Sequence, residues 1–333
     1  MKTILVFGAT GTLGAYISLH FHKLGYKVIA VGHRLSDNGF FADYQIPYYS
    51  VDITKSGDFK KLPVENIDLV AHFAGALPAS MKGYDASLYI DSIIKGTFNV
   101  LEFMRERHIP KMIFPQTLFD ISYLFGSKEP IPADAEKRAP LEGDHAMYVI
   151  AKMAAVQMIE HYHKVYGIKR FILRLSRVYV YHPNPYTYTD GEKVMISDRL
   201  LMQKAEKGEP IAIWGDPNRI LETCCVQDFL QIVEKCAEAK HNGGLYNIGS
   251  GGSTLDERIH DIVEVFSSPE HKSVISYEPE KKSAMQFLLD ISKTKSELGY
   301  EPRYSWKDYC VWFKKERELQ RFAKLWGTEE DYK

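Results

Sequence analysis

Apolar residues recur along this chain in two alternating rhythms. Mainly apolar runs at 4–7, 28–31, 48–51, 67–73, 112–114 and 171–175, interrupted at Ser50, Asp68, His72 and Arg174, read as strands of a parallel sheet. Between them the spacing becomes helical: Leu13, Ile17, Phe21 and Leu24 share one face, and Gly25 sits where that helix would stop. Longer patterns predict helices over about 88–107 and 148–166, the second closed by Gly167. Strands alternating with helices at this spacing predict a doubly wound α/β sheet.

The rhythm loosens in two places. Residues 126–144 are rich in charge, proline and glycine and read as a surface excursion. An aromatic, proline-rich loop, Tyr181-His182-Pro183-Asn184-Pro185, then marks a change of character. Beyond it the pattern predicts a helix over 196–207, strands at 211–214 and 245–248, and a closing helix over about 306–326 carrying Tyr309, Phe313 and Phe322 on one side. There is no internal repeat and no low-complexity linker, so a second domain is expected to be built from insertions.

Composition narrows the class. The 333 residues carry 42 basic and 43 acidic side chains, a formal net charge of −1, which gives no footprint for nucleic acid or an anionic membrane. With 45% hydrophobic residues and a mean hydropathy of −0.26, the chain reads as a soluble globular protein. No apolar run approaches membrane-spanning length, and no apolar leader precedes the first strand. Four cysteines, two of them adjacent at Cys224 and Cys225, make a poor disulfide framework and show no metal-ligand spacing; His161 and His163 face different sides of a helix. A cytoplasmic location and no bound metal are the expectations.

The candidate chemistry starts at the first strand. Gly8-Ala9-Thr10-Gly11-Thr12-Leu13-Gly14 spaces three glycines between a strand and a helix, which gathers backbone N–H groups and the positive end of a helix dipole at one spot. Gly8 permits a tight turn, Gly11 lets a phosphate approach the backbone, and Gly14 lets helix and strand pack closely. A dinucleotide is the expected ligand. A second pair, Tyr148 and Lys152, lies one turn apart on one helix face, where an ammonium would favour the phenolate and allow a tyrosine to accept a proton. Tyr277 and Lys281 have the same spacing, but Pro279 between them argues against a helix.

In combination, the glycine pattern, a strand ending at Asp52, His72-Phe73-Ala74-Gly75 and the Tyr148/Lys152 pair resemble the extended short-chain dehydrogenase/reductase family, and within it the NAD(P)-dependent epimerase/dehydratase branch. The resemblance continues through Gly215-Asp216, Val226 with Asp228, Tyr246-Asn247-Ile248-Gly249, and Asp290 followed by Glu297-Leu298-Gly299-Tyr300 and Pro302. It implies a Rossmann domain, 1–175 with 221–249, and a smaller C-terminal α/β substrate domain, 176–220 with 250–333. It also implies Asp52 and Ile53 near the adenine, with Phe73, Ala74 and Gly75 along the dinucleotide. The glycine-turn residues Gly8, Thr10, Gly11, Thr12, Leu13 and Gly14 would hold the pyrophosphate. Tyr148 would be the acid–base group, Lys152 would hold the nicotinamide ribose, and Thr117 would orient the reacting oxygen. A homodimer acting on a sugar or nucleotide sugar is expected.

The chain departs from that family on the substrate side. Arg177 falls where many relatives have an asparagine, and the arginine that grips a diphosphate is replaced by Leu221, followed by Glu222. Arg219, two residues away, Arg177 and His182 are the candidate substrate contacts. The sequence therefore leaves two further readings open, an NADP(H)-dependent reductase of a non-nucleotide carbonyl and a non-enzymatic dinucleotide sensor. The second strand ends in Gly32-His33-Arg34, with no carboxylate for a ribose 2′-hydroxyl and with a guanidinium that suits a 2′-phosphate. His33 and Arg34 are accordingly expected to contact the cofactor, with NADP preferred over NAD.

Overall fold

A computed structural model describes residues 1–63, 66–80 and 82–333. Seven strands form one parallel sheet: β1 (Thr3–Phe7), β2 (Lys27–Gly32), β3 (Tyr48–Ser50), β4 (Leu69–His72), β5 (Lys111–Thr117), β6 (Lys169–Leu175) and β7 (Gly243–Ile248). Their order is β7-β6-β5-β4-β1-β2-β3. Alternate residues of each strand enter different cores, which is why the strands read as continuous apolar runs. Ile4, Val6 and Ala30 pack under helix α1 (Thr12–Lys23), through Ile17 and Phe21, and under Phe229 and Ile232 of a later helix, Val226–Glu238. Leu5, Phe7, Ile29 and Val70 pack on the other face with α2 (Gly96–Glu106) and α3 (Ala146–Tyr166), through Val100, Leu101, Val149 and Ile159. The order reverses beside β1, so the ends of β1 and β4 open a crevice there, the usual place for a ligand in such sheets.

A smaller C-terminal α/β region has its own core of Tyr179, Tyr181, Met202, Ile213, Ile262, Trp306, Tyr309 and Phe313. Helices Ser197–Glu206, Leu255–Phe266 and Trp306–Leu319 surround it. It also contains two small sheets, Ile211–Trp214 parallel with Ile275–Glu278 and Ile220–Glu222 antiparallel with Gly252–Thr254. Tyr277, one half of the second Tyr–Lys match, therefore lies on a strand.

Three predicted elements differ in the structure. The helix expected over 88–107 is a short helix Ala86–Tyr89, a wide π turn Ile90–Lys95, and then α2; apolar spacing does not distinguish a 3.6-residue turn from a wider one. The closing helix stops at Leu319, because Gln320 adopts a left-handed conformation with φ 45°. Phe322, Leu325 and Trp326 then turn away from the small core and join the α1 face of the large one. The third difference is an antiparallel hairpin, Tyr186–Thr189 with Glu192–Met195, between the proline-rich loop and the next helix, where the pattern predicted no element. Its turn has φ 49° at Asp190 and φ 81° at Gly191. An Asp-Gly pair suits two positive φ values in a tight hairpin, so the signal was present in the sequence.

Candidate active site

The glycine turn is built by close approach. Gly8 has φ +83°, and a β-carbon there would stand 2.7 Å from the backbone of Phe73 and Ala74. One at Gly14 would stand 2.1 Å from the Gly8 carbonyl oxygen. The end of β1 is thereby pressed against the end of β4 on one side and the first turn of α1 on the other. Gly11 caps α1 without any side-chain hydrogen bond. A helix N-terminus left free of side chains, behind a turn that no larger residue could form, fits the pyrophosphate of a dinucleotide. Thr10 is buried with its hydroxyl near Gly32 of β2. Asp52 accepts hydrogen bonds from the Thr54 amide and hydroxyl at 3.0 and 2.8 Å and pairs with Lys55, and the Ile53 carbonyl accepts from Asn99.

Thr117, Tyr148 and Lys152 come together at the end of β5 and the first turns of α3. Thr117 and Tyr148 interact through their side chains, and Tyr148 is almost fully buried. The Lys152 ammonium lies 6.0 Å from the Tyr148 ring centroid and donates to the Pro115 carbonyl at 2.8 Å. Burial raises the Tyr148 pKa, and the Thr117 hydroxyl works against that rise. Burial thus favours the neutral phenol in the free protein, against the phenolate that a neighbouring ammonium favours.

Burial also lowers the Lys152 pKa to about 7. An unfolded lysine keeps its proton to about pH 10. Between those values the unfolded chain binds more protons, so the stability tied to this group rises with pH and is lost as pH falls toward 7. Lys152→Met should thus be more stable than the parent at pH 7, with the gap closing toward pH 10. Urea midpoints at the two pH values check this; a gap independent of pH would contradict it.

A buried network stands behind Thr117. Its amide donates to Gln116 Oε1 at 3.0 Å, and Gln116 Nε2 donates to Asp120 Oδ2 at 3.1 Å. Asp120 pairs with Arg174 at 2.9 Å, and both side chains are wholly buried. Arg174 also donates to Ala133 O and Asn247 Oδ1, each at 3.1 Å.

The substrate-side candidates each have partners of their own. Arg177, half exposed, pairs with Asp198 at 2.5 Å. His182 packs its ring 4.6 Å from that of Trp326, and its Nδ1 accepts from the Asn184 amide. Burial, helped by Arg199 and Arg34, lowers its pKa to about 4, so it is neutral at pH 7. Arg219 donates to the Ala284 carbonyl, and its Nε is buried without a hydrogen-bond partner among the described residues. His33 and Arg34 are exposed.

Two features escaped the sequence reading. The first is the C-terminal segment: Trp326 Nε1 donates to Thr10 O at 2.9 Å, and Arg34 donates to Leu325 O at 2.8 Å. The tail thus meets the glycine turn expected to hold the pyrophosphate and the end of β2 expected to meet the ribose, a long-range contact no local pattern announces. The second is a cavity of about 330 Å³ lined by Tyr84, Tyr89, Asp144 and Asp190 among others. Tyr89 joins it to the catalytic candidates, its ring lying 5.8 Å from that of Tyr148.

Comparison with known proteins places this geometry. The family model described as the NAD dependent epimerase/dehydratase family matches residues 4–249. The chain is 25% identical over 346 residues to the UDP-glucuronate 4-epimerase of Thermodesulfobacterium geofontis, covering 98% of this chain and 100% of that protein. Its fold is similar to that of the Thermotoga maritima UDP-glucose 4-epimerase solved with UDP-glucose, with a TM-score of 0.74 at 22% identity over 96% of this chain and 100% of that one. It is also similar to the Bacillus cereus UDP-glucuronic acid 4-epimerase in complex with NAD, with a TM-score of 0.70 at 20% identity over 100% of both chains. The family match takes in the glycine turn, Thr117, Tyr148 and Lys152 together. This chain belongs to the NAD dependent epimerase/dehydratase family of enzymes.

Proposed function

We propose that this protein oxidises a carbinol of a nucleotide sugar to a ketone and then restores it, with Tyr148 as the acid–base group. The observation that carries the reading is the convergence of Thr117, Tyr148 and Lys152 at the end of β5 and the first turns of α3, with Tyr89 joining them to a cavity of about 330 Å³. The glycine turn, Gly8 to Gly14, would hold a nicotinamide dinucleotide, which would supply the hydride acceptor and donor. Tyr148, as the phenolate that the Lys152 ammonium would favour once the dinucleotide is in place, takes the hydroxyl proton at its phenolic oxygen and gives it back on re-reduction. Thr117 holds the reacting oxygen against that phenol, and Lys152 stabilises negative charge on it. Buried tyrosine, threonine and lysine also exclude water from the exchanged proton.

Arg219 is the proposed diphosphate contact. Its guanidinium has no carboxylate partner among the described residues and keeps a buried N–H unused, whereas Arg177 is already paired with Asp198. The test is mass spectrometry of the ligands released from the purified protein, followed by incubation with UDP-glucose, UDP-glucuronate and dTDP-glucose. A bound dinucleotide whose nicotinamide is reduced by one of these sugars is the expected result. No dinucleotide, and no sugar-dependent reduction after one is added, would overturn the reading.

We also propose that NADP(H) is preferred. No carboxylate at the end of β2 is free for a ribose hydroxyl, because Asp37 is buried and accepts from the Gly39 and Phe41 amides at 3.3 and 2.7 Å. Arg34 uses one N–H on Leu325 O, which holds the guanidinium in place with its other donors available to a 2′-phosphate. Such a contact contributes about 1.5–3 kcal/mol, so Arg34→Ala should weaken NADP binding on the order of ten- to a hundredfold and leave NAD nearly unchanged. Dissociation constants for the two cofactors decide it; equal values, or tighter NAD in the parent protein, would refute the preference.

A further inference from the structure

Beside Tyr148 stands a second pair of titratable side chains that the reaction above does not use. His145 is the residue before α3, yet its side chain makes no capping bond to that helix. Its ring instead packs 4.4 Å from Phe119 and 6.4 Å, edge to face, from Tyr148. Its Nδ1 bonds to Asp144. Asp144 lines the cavity and also accepts from the Asp190 amide at the hairpin tip, at 3.3 Å. Burial opposes ionisation of Asp144, but the bonds from His145 and the Asp190 amide outweigh it and hold its pKa below the ordinary value. A carboxylate that takes the Nδ1 proton fixes the tautomer and leaves a lone pair on Nε2. Among the described residues Nε2 has no hydrogen-bond partner, and the imidazole is one-third exposed.

We propose that His145, oriented by Asp144, is a second acid–base residue of this site, acting on the carbon next to the one that is oxidised. The inference rests on the oxidation proposed above, because only a ketone makes its neighbouring C–H acidic. His145 Nε2 takes that proton. The C–H electron pair becomes the carbon–carbon double bond of an enolate, and the carbonyl π pair moves onto oxygen, where Tyr148 and Thr117 hold it. Return of a proton from the imidazolium to carbon restores the ketone, so atoms and charge balance without a further reactant. An enzyme that only inverts the oxidised centre needs no such base. The pair thus assigns this protein to reactions that also open the neighbouring centre.

Turnover in D2O tests this, with UDP-glucose, UDP-glucuronate and dTDP-glucose as probes. Bound-nicotinamide reduction is read by absorbance, and deuterium at the neighbouring carbon by NMR. The parent protein should place deuterium there with the sugar that reduces its nicotinamide. His145→Gln should lower incorporation by about 10²-fold or more while nicotinamide reduction stays within about threefold, since a positioned base contributes on that scale. Asp144→Asn, which keeps an acceptor for the Asp190 amide, should fall between the two. Reduction without deuterium in the parent, or parent-like incorporation in His145→Gln, would overturn the proposal. If none of the three sugars reduces the nicotinamide, the oxidation itself is wrong and this inference falls with it.

Discussion

Tyr148→Phe should abolish most turnover and leave dinucleotide binding intact. The ring is buried between Tyr89 and the Thr117 side of the site, so phenylalanine keeps its packing and removes only the oxygen. Loss of a positioned acid–base group costs about 10²-fold or more in rate. Burial holds the Tyr148 pKa above the ordinary phenol value in the free protein, so substitution removes no charge and little stability is at stake. The variant should therefore unfold at nearly the parental urea concentration and bind NAD or NADP with parental affinity. Turnover within a few fold of the parent would show that another group moves the proton.

Much of this site was written in local pattern. The strands were legible because both faces of the sheet are covered, which turns period-two positions into continuous apolar runs. Tyr148 and Lys152 were legible because one helical turn places them on one face, and the glycine turn because its spacing admits no β-carbon. What the pattern could not carry was tertiary. Phe322 kept an apparent helical phase with Tyr309 and Phe313, but a left-handed Gln320 sends it to a different core. Arg177 reads as a free cation until helix Ser197–Glu206 brings Asp198 to it. The Arg34 contact with Leu325 joins residues 291 positions apart. The same distance effect concealed the Asp120–Arg174 pair, whose members lie 54 positions apart.

That pair is where a single substitution should cost the most stability. Asp120 and Arg174 are wholly buried, and Arg174 is the only charged group hydrogen-bonded to the Asp120 carboxylate among the described residues. Arg174→Met keeps the apolar stem of the side chain but strands the carboxylate in the core, a change that costs about 3–5 kcal/mol. Burial already pushes the Asp120 pKa up, with Arg174 and Gln116 opposing it. Without Arg174 the rise is larger, so the folded variant binds its proton more tightly than the unfolded chain does. The proton-linked stability is then present at low pH and lost as pH rises through the folded pKa. The deficit should be largest near neutral pH and shrink toward pH 4, about the value for an unperturbed aspartate. Arg174→Met with Asp120→Leu removes both charges and should recover much of the stability, since buried ion pairs are often replaceable by apolar residues. Turnover should not recover with it. Gln116 would lose the acceptor for its Nε2, and with it the orientation that holds the Thr117 amide at 3.0 Å. A double variant restored in both stability and rate would show that the network packs the core and does not position Thr117.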